Sequence, residues 1–96
     1  MLARVKLALM LSTTDFDTEL NGLISAAVKD LNVAGVEGLV ITTDTADDLV
    51  IRAIITYVCY QFELIHGDQN RAKNLKVSYD EQKAQLSMST GYTVLS

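Results

Sequence analysis

Residues 49–65 constrain the fold more than any other part of this chain. On a helical wheel at about 100° per residue, Arg52, Thr56 and Glu63 share one narrow sector, and Gln61 is the one further polar residue. The rest is apolar: Leu49, Val50, Ile51, Ala53, Ile54, Ile55, Tyr57, Val58, Cys59, Tyr60, Phe62, Leu64 and Ile65. A helix apolar nearly all round must be covered on most sides. A chain of 96 residues has room for a single core, so a helix over about residues 46–65 belongs at its centre. Three other helices would cover most of it and leave a remainder for a neighbouring subunit. Ile51, Ile55 and Cys59, spaced by four, are the candidates for that oligomer interface.

The other helices follow from their own patterns. Leu2, Val5 and Leu9, with Ala8, mark a first helix over about residues 2–11, broken by Ser12-Thr13-Thr14. Thr14 or Asp15 is placed to cap a second helix, with Asp15, Asp17 and Glu19 set against the positive end of its dipole. Its stripe is Phe16, Leu20, Leu23, Ile24, Ala27, Val28 and Leu31, a helical period, with Gly35 as its C-terminal cap. Residues 35–43 read as a loop whose apolar members cover the core. Thr43, Asp44 and Thr45 offer a cap for the third helix. Gly67 ends that helix and Asp68 caps a fourth, over about residues 69–87, where Leu75, Tyr79, Gln82 and Leu86 form one face. The expected fold is therefore all-α, a bundle of about four helices over residues 1–87.

Charge and cysteine content narrow the function classes. The formal net charge is −4 and the pI about 4.7, whereas tight DNA binding relies on Lys and Arg neutralising phosphates. Cys59 is the single cysteine, so no intrachain disulfide can form, and its apolar setting marks it as an inert core thiol. The apolar run Leu7–Leu11 is shorter than the hydrophobic region of a signal peptide. The uncharged run Ala53–Phe62 is about half the ~20 residues that span a bilayer, so no membrane association is expected.

The chain's end changes character. After Leu86 the helical repeat gives way to Ser87-Met88-Ser89-Thr90-Gly91-Tyr92-Thr93-Val94-Leu95-Ser96. Ser, Thr and Gly lower helix propensity, and Tyr92, Thr93 and Val94 favour extended backbone. Residues 88–96 are expected to form an extended arm, with Met88, Gly91, Tyr92, Thr93 and Val94 as candidate partner-docking residues. The string from Tyr79 to Thr93, YDEQKAQLSMSTGYT, resembles the C-terminal signature of the small head–tail connector proteins of long-tailed DNA phages, also described as DNA-packaging proteins. Ala53-Ile54-Ile55-Thr56-Tyr57-Val58, Phe62 and Gly67 stand in the order of the same family's pattern, so the resemblance covers nearly the whole chain. The loop around Gly35–Thr43 departs from that pattern.

That resemblance implies a head-completion subunit. Such subunits form a homo-oligomeric ring beneath the portal protein, extend the DNA channel, and present a platform to the next connector or the tail-completion protein. DNA would pass through without sequence-specific binding, and an acidic lining would repel its backbone and let it slide. The place implied is the head–tail junction of the virion, after assembly in the bacterial cytoplasm. The activity implied is stoichiometric binding, with no catalytic, cofactor or metal residues.

The residues themselves give catalysis little support. His66 is the single histidine, no Ser or Cys motif accompanies it, and its place suits a helix C-terminus. Asp15-x-Asp17-x-Glu19 has calcium-loop spacing, but Leu20 stands where that loop needs Gly and Ala26 where it needs a bidentate Glu. No phosphate loop, metal cluster or nucleophile elbow is present. Tyr57, Tyr60 and Phe62 read as core aromatics. The rival class is a small helical DNA-binding or regulatory domain. Its recognition helix would be the fourth, which carries Gln69, Asn70, Arg71, Lys73, Asn74 and Lys76.

Overall fold

The computed structural model describes residues 1–33 and 48–88. Four α-helices follow in order: α1 (Leu2–Ala8), α2 (Asp17–Val33), α3 (Asp48–His66) and α4 (Gln69–Met88). No strand occurs among the described residues, and the fold is the expected all-α bundle. α3 is its centre. The largest interface joins α3 to α4, the next joins α3 to α2, and α1 packs on both α2 and α3.

The core follows the periodicities read from sequence. Val5 comes from α1, Leu20, Ala27 and Leu31 from α2, Val50, Ala53, Ile54, Val58 and Phe62 from α3, and Tyr79 and Leu86 from α4. Phe16, Leu23, Ile24 and Val28 pack around this cluster half-buried, so the whole stripe expected for α2 faces inward. On α4, Tyr79 and Leu86 are buried, Leu75 and Gln82 half-buried, and Ala72 joins them.

α3 is covered more fully by its own subunit than its sequence suggested. Its exposed apolar residues are Leu49, Leu64 and Ile65, at its two ends. Its middle is buried or half-buried except at Arg52, and Thr56 satisfies its hydroxyl on the Arg52 carbonyl at 2.8 Å. The stretch Leu49–His66 is long and apolar enough to cross a membrane by length and composition. A core helix of a soluble bundle meets the same criterion, and here the other three helices pack on α3.

Two helix ends differ from the expected ones. α1 stops at Ala8, three residues early, because Met10 takes a left-handed backbone with φ 58°. That turn lets Leu11 N–H donate to the Lys6 carbonyl at 2.9 Å and Met10 N–H to Leu7 at 3.1 Å. This is a Schellman closure with Met10 at C′. At α2 the hydroxyl of Thr13, rather than Thr14 or Asp15, acts locally, accepting from Asp15 N–H at 3.1 Å. The Thr14 carbonyl accepts from Asp17 N–H at 3.2 Å.

The α3–α4 junction forms as expected. Asp68 Oδ1 accepts from Asn70 N–H at 2.8 Å and Arg71 N–H at 3.4 Å, satisfying two of the donors that a helix start leaves open. Gly67 lets the Glu63 carboxylate fold back over it, where an added Cβ would meet Oε2 at 2.7 Å. That carboxylate accepts from Asp68 N–H at 3.2 Å. The expected loop at residues 35–43, the Gly35 cap and the Thr43–Thr45 cap lie outside the described residues.

Candidate functional site

Two polar nodes tie the bundle together, and both are structural in their geometry. Asp30 on α2 accepts from the Tyr79 hydroxyl at 2.6 Å and from Lys83 Nζ at 3.2 Å, both on α4. Lys83 also lies 5.3 Å from the centre of the Tyr79 ring, a cation–π contact. Tyr57 packs against that ring from α3, with centroids 5.1 Å apart. Burial first, then the hydrogen bond and charge of Asp30, push the Tyr79 phenol well above its usual 10.0. It remains a neutral donor.

The second node lies at the C-terminal end of α3. His66 Nε2 lies 2.8 Å from Glu19 Oε2, and its ring sits 4.7 Å from Phe62 and 5.2 Å from Phe16. Phe16 and Phe62 meet edge to face at 5.2 Å, the arrangement aromatic pairs favour. His66 thus acts as a strut between α2 and α3. Asp17 faces Lys6 at 3.0 Å, an ion pair by distance without hydrogen-bond alignment. Two of the three carboxylates with calcium-loop spacing, Asp17 and Glu19, are therefore engaged with different partners. Among the described residues no group of three His, Cys, Asp or Glu side chains could hold a metal ion.

The proposed interface residues on α3 divide. Ile51 and Cys59 are only 4% and 6% exposed within one subunit, while Ile55 is half-buried. Ile55 alone keeps appreciable surface for a neighbour. Burial pushes the Cys59 thiol above its usual 9.0, Glu63 adds to the rise and Arg71 opposes it, so thiolate chemistry is suppressed. Of the docking residues expected in the arm, Met88 is the last residue of α4. Gly91, Tyr92, Thr93 and Val94 lie outside the described residues.

The polar side chains at the start of α4 are exposed from Gln69 to Arg71 and at Lys73, Asn74 and Lys76. Gln69 donates its amide to the Leu64 carbonyl at 3.0 Å, and Lys76 pairs with Asp80 at 2.8 Å. These contacts draw parts of the basic cluster into the fold's own bonds.

A profile of the family described as phage connector protein matches residues 1–93. The chain belongs to the phage connector protein family. No curated protein and no solved structure gives a significant match. The match runs through all four helices, and the family gives the chain a structural role in connecting phage head and tail. Asp30 was missed by sequence reasoning. Its signal was a carboxylate beside the stripe residues Ala27 and Leu31, matched by Tyr79 and Lys83 one turn apart on α4. Leu7 and Met10, exposed at 80% and 90%, were missed as well, because α1 was expected to continue through them.

Proposed function

We propose that this connector assembles as a closed homo-oligomeric ring beneath the portal protein, extends the DNA channel, and offers a platform to the next connector or the tail-completion protein. The observation that carries this reading is the family match across residues 1–93. A formal net charge of −4 supports a channel that passes DNA without gripping it, since phosphates are held by basic side chains. Of Ile51, Ile55 and Cys59 on α3, Ile55 is the one that keeps surface for a subunit contact.

In this reading residues 89–96, which follow Met88 at the end of α4, form the docking arm. Tyr92, Val94 and Leu95 give it more apolar content than a solvating tail needs, and Tyr92-Thr93-Val94 suits addition of a strand to an exposed sheet edge. The protein acts by stoichiometric binding at the head–tail junction of the virion, after assembly in the bacterial cytoplasm. Negative-stain imaging of the concentrated protein, alone and with portal protein, tests the ring. Closed rings are the expected result, and monomers under both conditions would overturn the reading.

A further inference from the structure

α4 rests on the bundle mainly along one line. It packs on α3, whereas α2 and α1 have little contact with it. A helix supported along a single line of contact can still roll about that line. The start of α4 has an anchor of its own, because Asp68 Oδ1 accepts from Asn70 and Arg71 N–H and the Glu63 carboxylate accepts from Asp68 N–H. Its second half has one polar support off that line, Asp30 of α2.

Asp30 holds α4 at two points one turn apart. Its Oδ2 accepts from the Tyr79 hydroxyl at 2.6 Å and from Lys83 Nζ at 3.2 Å. Tyr57 of α3 braces the Tyr79 ring, with centroids 5.1 Å apart, and Lys83 lies 5.3 Å from the centre of that ring. One bond would leave a pivot. Two bonds to one carboxylate from residues spaced i, i+4, which share a helix face, fix the roll of α4 as well as its height. Asp30 is not needed to fill the core, since its side chain is 38% exposed. Beyond Lys83, Leu86 is the one buried side chain among the described residues. Met88 follows Lys83 at a rise of about 7.5 Å, so a roll at Lys83 is carried to the helix end.

We propose that Asp30 is a positioning residue: through Tyr79 and Lys83 it sets the roll of the last turns of α4, and so the direction in which residues 89–96 leave the bundle. This rests on the reading of those residues as a docking arm and names what aims it. Asp30 touches no partner in this account, so its removal should cost attachment more than it costs the fold.

The test compares the full chain with Asp30→Ala, Asp30→Asn, Val28→Ala and the double variant Tyr92→Ser, Val94→Ser. Val28, half-buried on the same helix, supplies a control that thins the core and leaves Asp30 in place. Amide hydrogen exchange of residues 84–88, relative to α3, should quicken about tenfold in Asp30→Ala. Binding to tail-less, DNA-filled heads should weaken by a similar factor, read by co-sedimentation at a temperature where circular dichroism shows every variant fully helical. Asp30→Asn keeps a carbonyl acceptor and should recover most of both. Val28→Ala should lower the melting temperature and leave attachment at the wild-type level. An Asp30→Ala protein that attaches like the wild type would overturn the proposal. So would a Val28→Ala protein that loses as much, since the effect would then be one of stability. An Asp30→Asn protein no better than Asp30→Ala would overturn these hydrogen bonds as the cause. If the double arm variant attaches as well as the wild type, the arm reading itself fails and takes the proposal with it. Loss in the double variant with Asp30→Ala unaffected overturns the proposal alone.

Discussion

The Tyr79 hydroxyl donates to Asp30 Oδ2 at 2.6 Å, joining α4 to α2. Those two helices otherwise touch little, because each packs mainly on α3. A hydrogen bond to a charged group contributes about 1.5–3 kcal/mol. Tyr79→Phe keeps the ring against Tyr57 and removes only that bond. It should lower stability by about 1–2 kcal/mol, since Lys83 still partners the carboxylate left behind. Urea unfolding followed by circular dichroism measures this, and an unchanged midpoint would mean the bond is energetically idle.

Two buried acidic groups give the fold an alkaline limit. The Tyr79 phenol is held above its usual 10.0 and the Cys59 thiol above its usual 9.0, both chiefly by burial. A raised native pKa leaves its stability contribution intact below the unfolded value. That contribution falls as pH rises towards the native value, because the unfolded state loses its proton first. Stability should therefore decline from about pH 9 upward. The decline should be shallower in Tyr79→Phe and in Cys59→Ala. Denaturant midpoints at stepped pH supply the check, and identical slopes in all three proteins would contradict the assignment.

Much of this fold was legible because its information is periodic. The stripe from Phe16 to Leu31, the all-round apolar α3 and the face from Leu75 to Leu86 each announce a helix and its buried side. What stayed hidden depended on backbone detail or on pairing between helices. Nothing in the sequence marks Met10 as left-handed, since that position usually belongs to glycine. The coverage of Ile51 and Cys59 depends on how closely three helices settle around α3, which a wheel does not show. The proposed docking and channel roles depend on partners, and one chain's periodicity carries no record of them.

Ile54 is fully buried at the centre of α3, and its replacement tests the architecture directly. An unpaired buried carboxylate costs several kcal/mol against a total stability of about 5–15 kcal/mol. Ile54→Asp should therefore leave the chain largely unfolded, whereas Arg52→Asp, at an exposed position, should fold. Circular dichroism of both variants decides the point. A fully helical, cooperatively melting Ile54→Asp protein would remove α3 from the centre.

Cys59 should react with an exposed-thiol reagent only as fast as the bundle opens. It is 6% exposed and its thiol is held up by burial, so both access and thiolate fraction are low. In denaturant the reaction should be immediate and stoichiometric. Fast labelling of the native protein would show that α3 is uncovered on that side.

The arm offers the sharpest separation of folding from function. Among the described residues the last buried side chain is Leu86, and α4 ends at Met88, so a chain ending after Met88 keeps every described residue of the core. Its melting temperature should stay within a few degrees of the full chain, a difference of under about 1 kcal/mol for a domain of this size. It should also form the same bundle by circular dichroism. If Gly91, Tyr92, Thr93 and Val94 dock on the portal or a neighbouring connector, the truncated protein should not attach to tail-less, DNA-filled heads. Tyr92→Ser alone should weaken attachment, because strand addition draws its specificity from alternate side chains. Attachment is read by co-sedimentation with the heads, and completion by the yield of joined particles. Truncated protein that completes heads at the full-length rate would show that the arm is dispensable and that attachment belongs to the helical bundle.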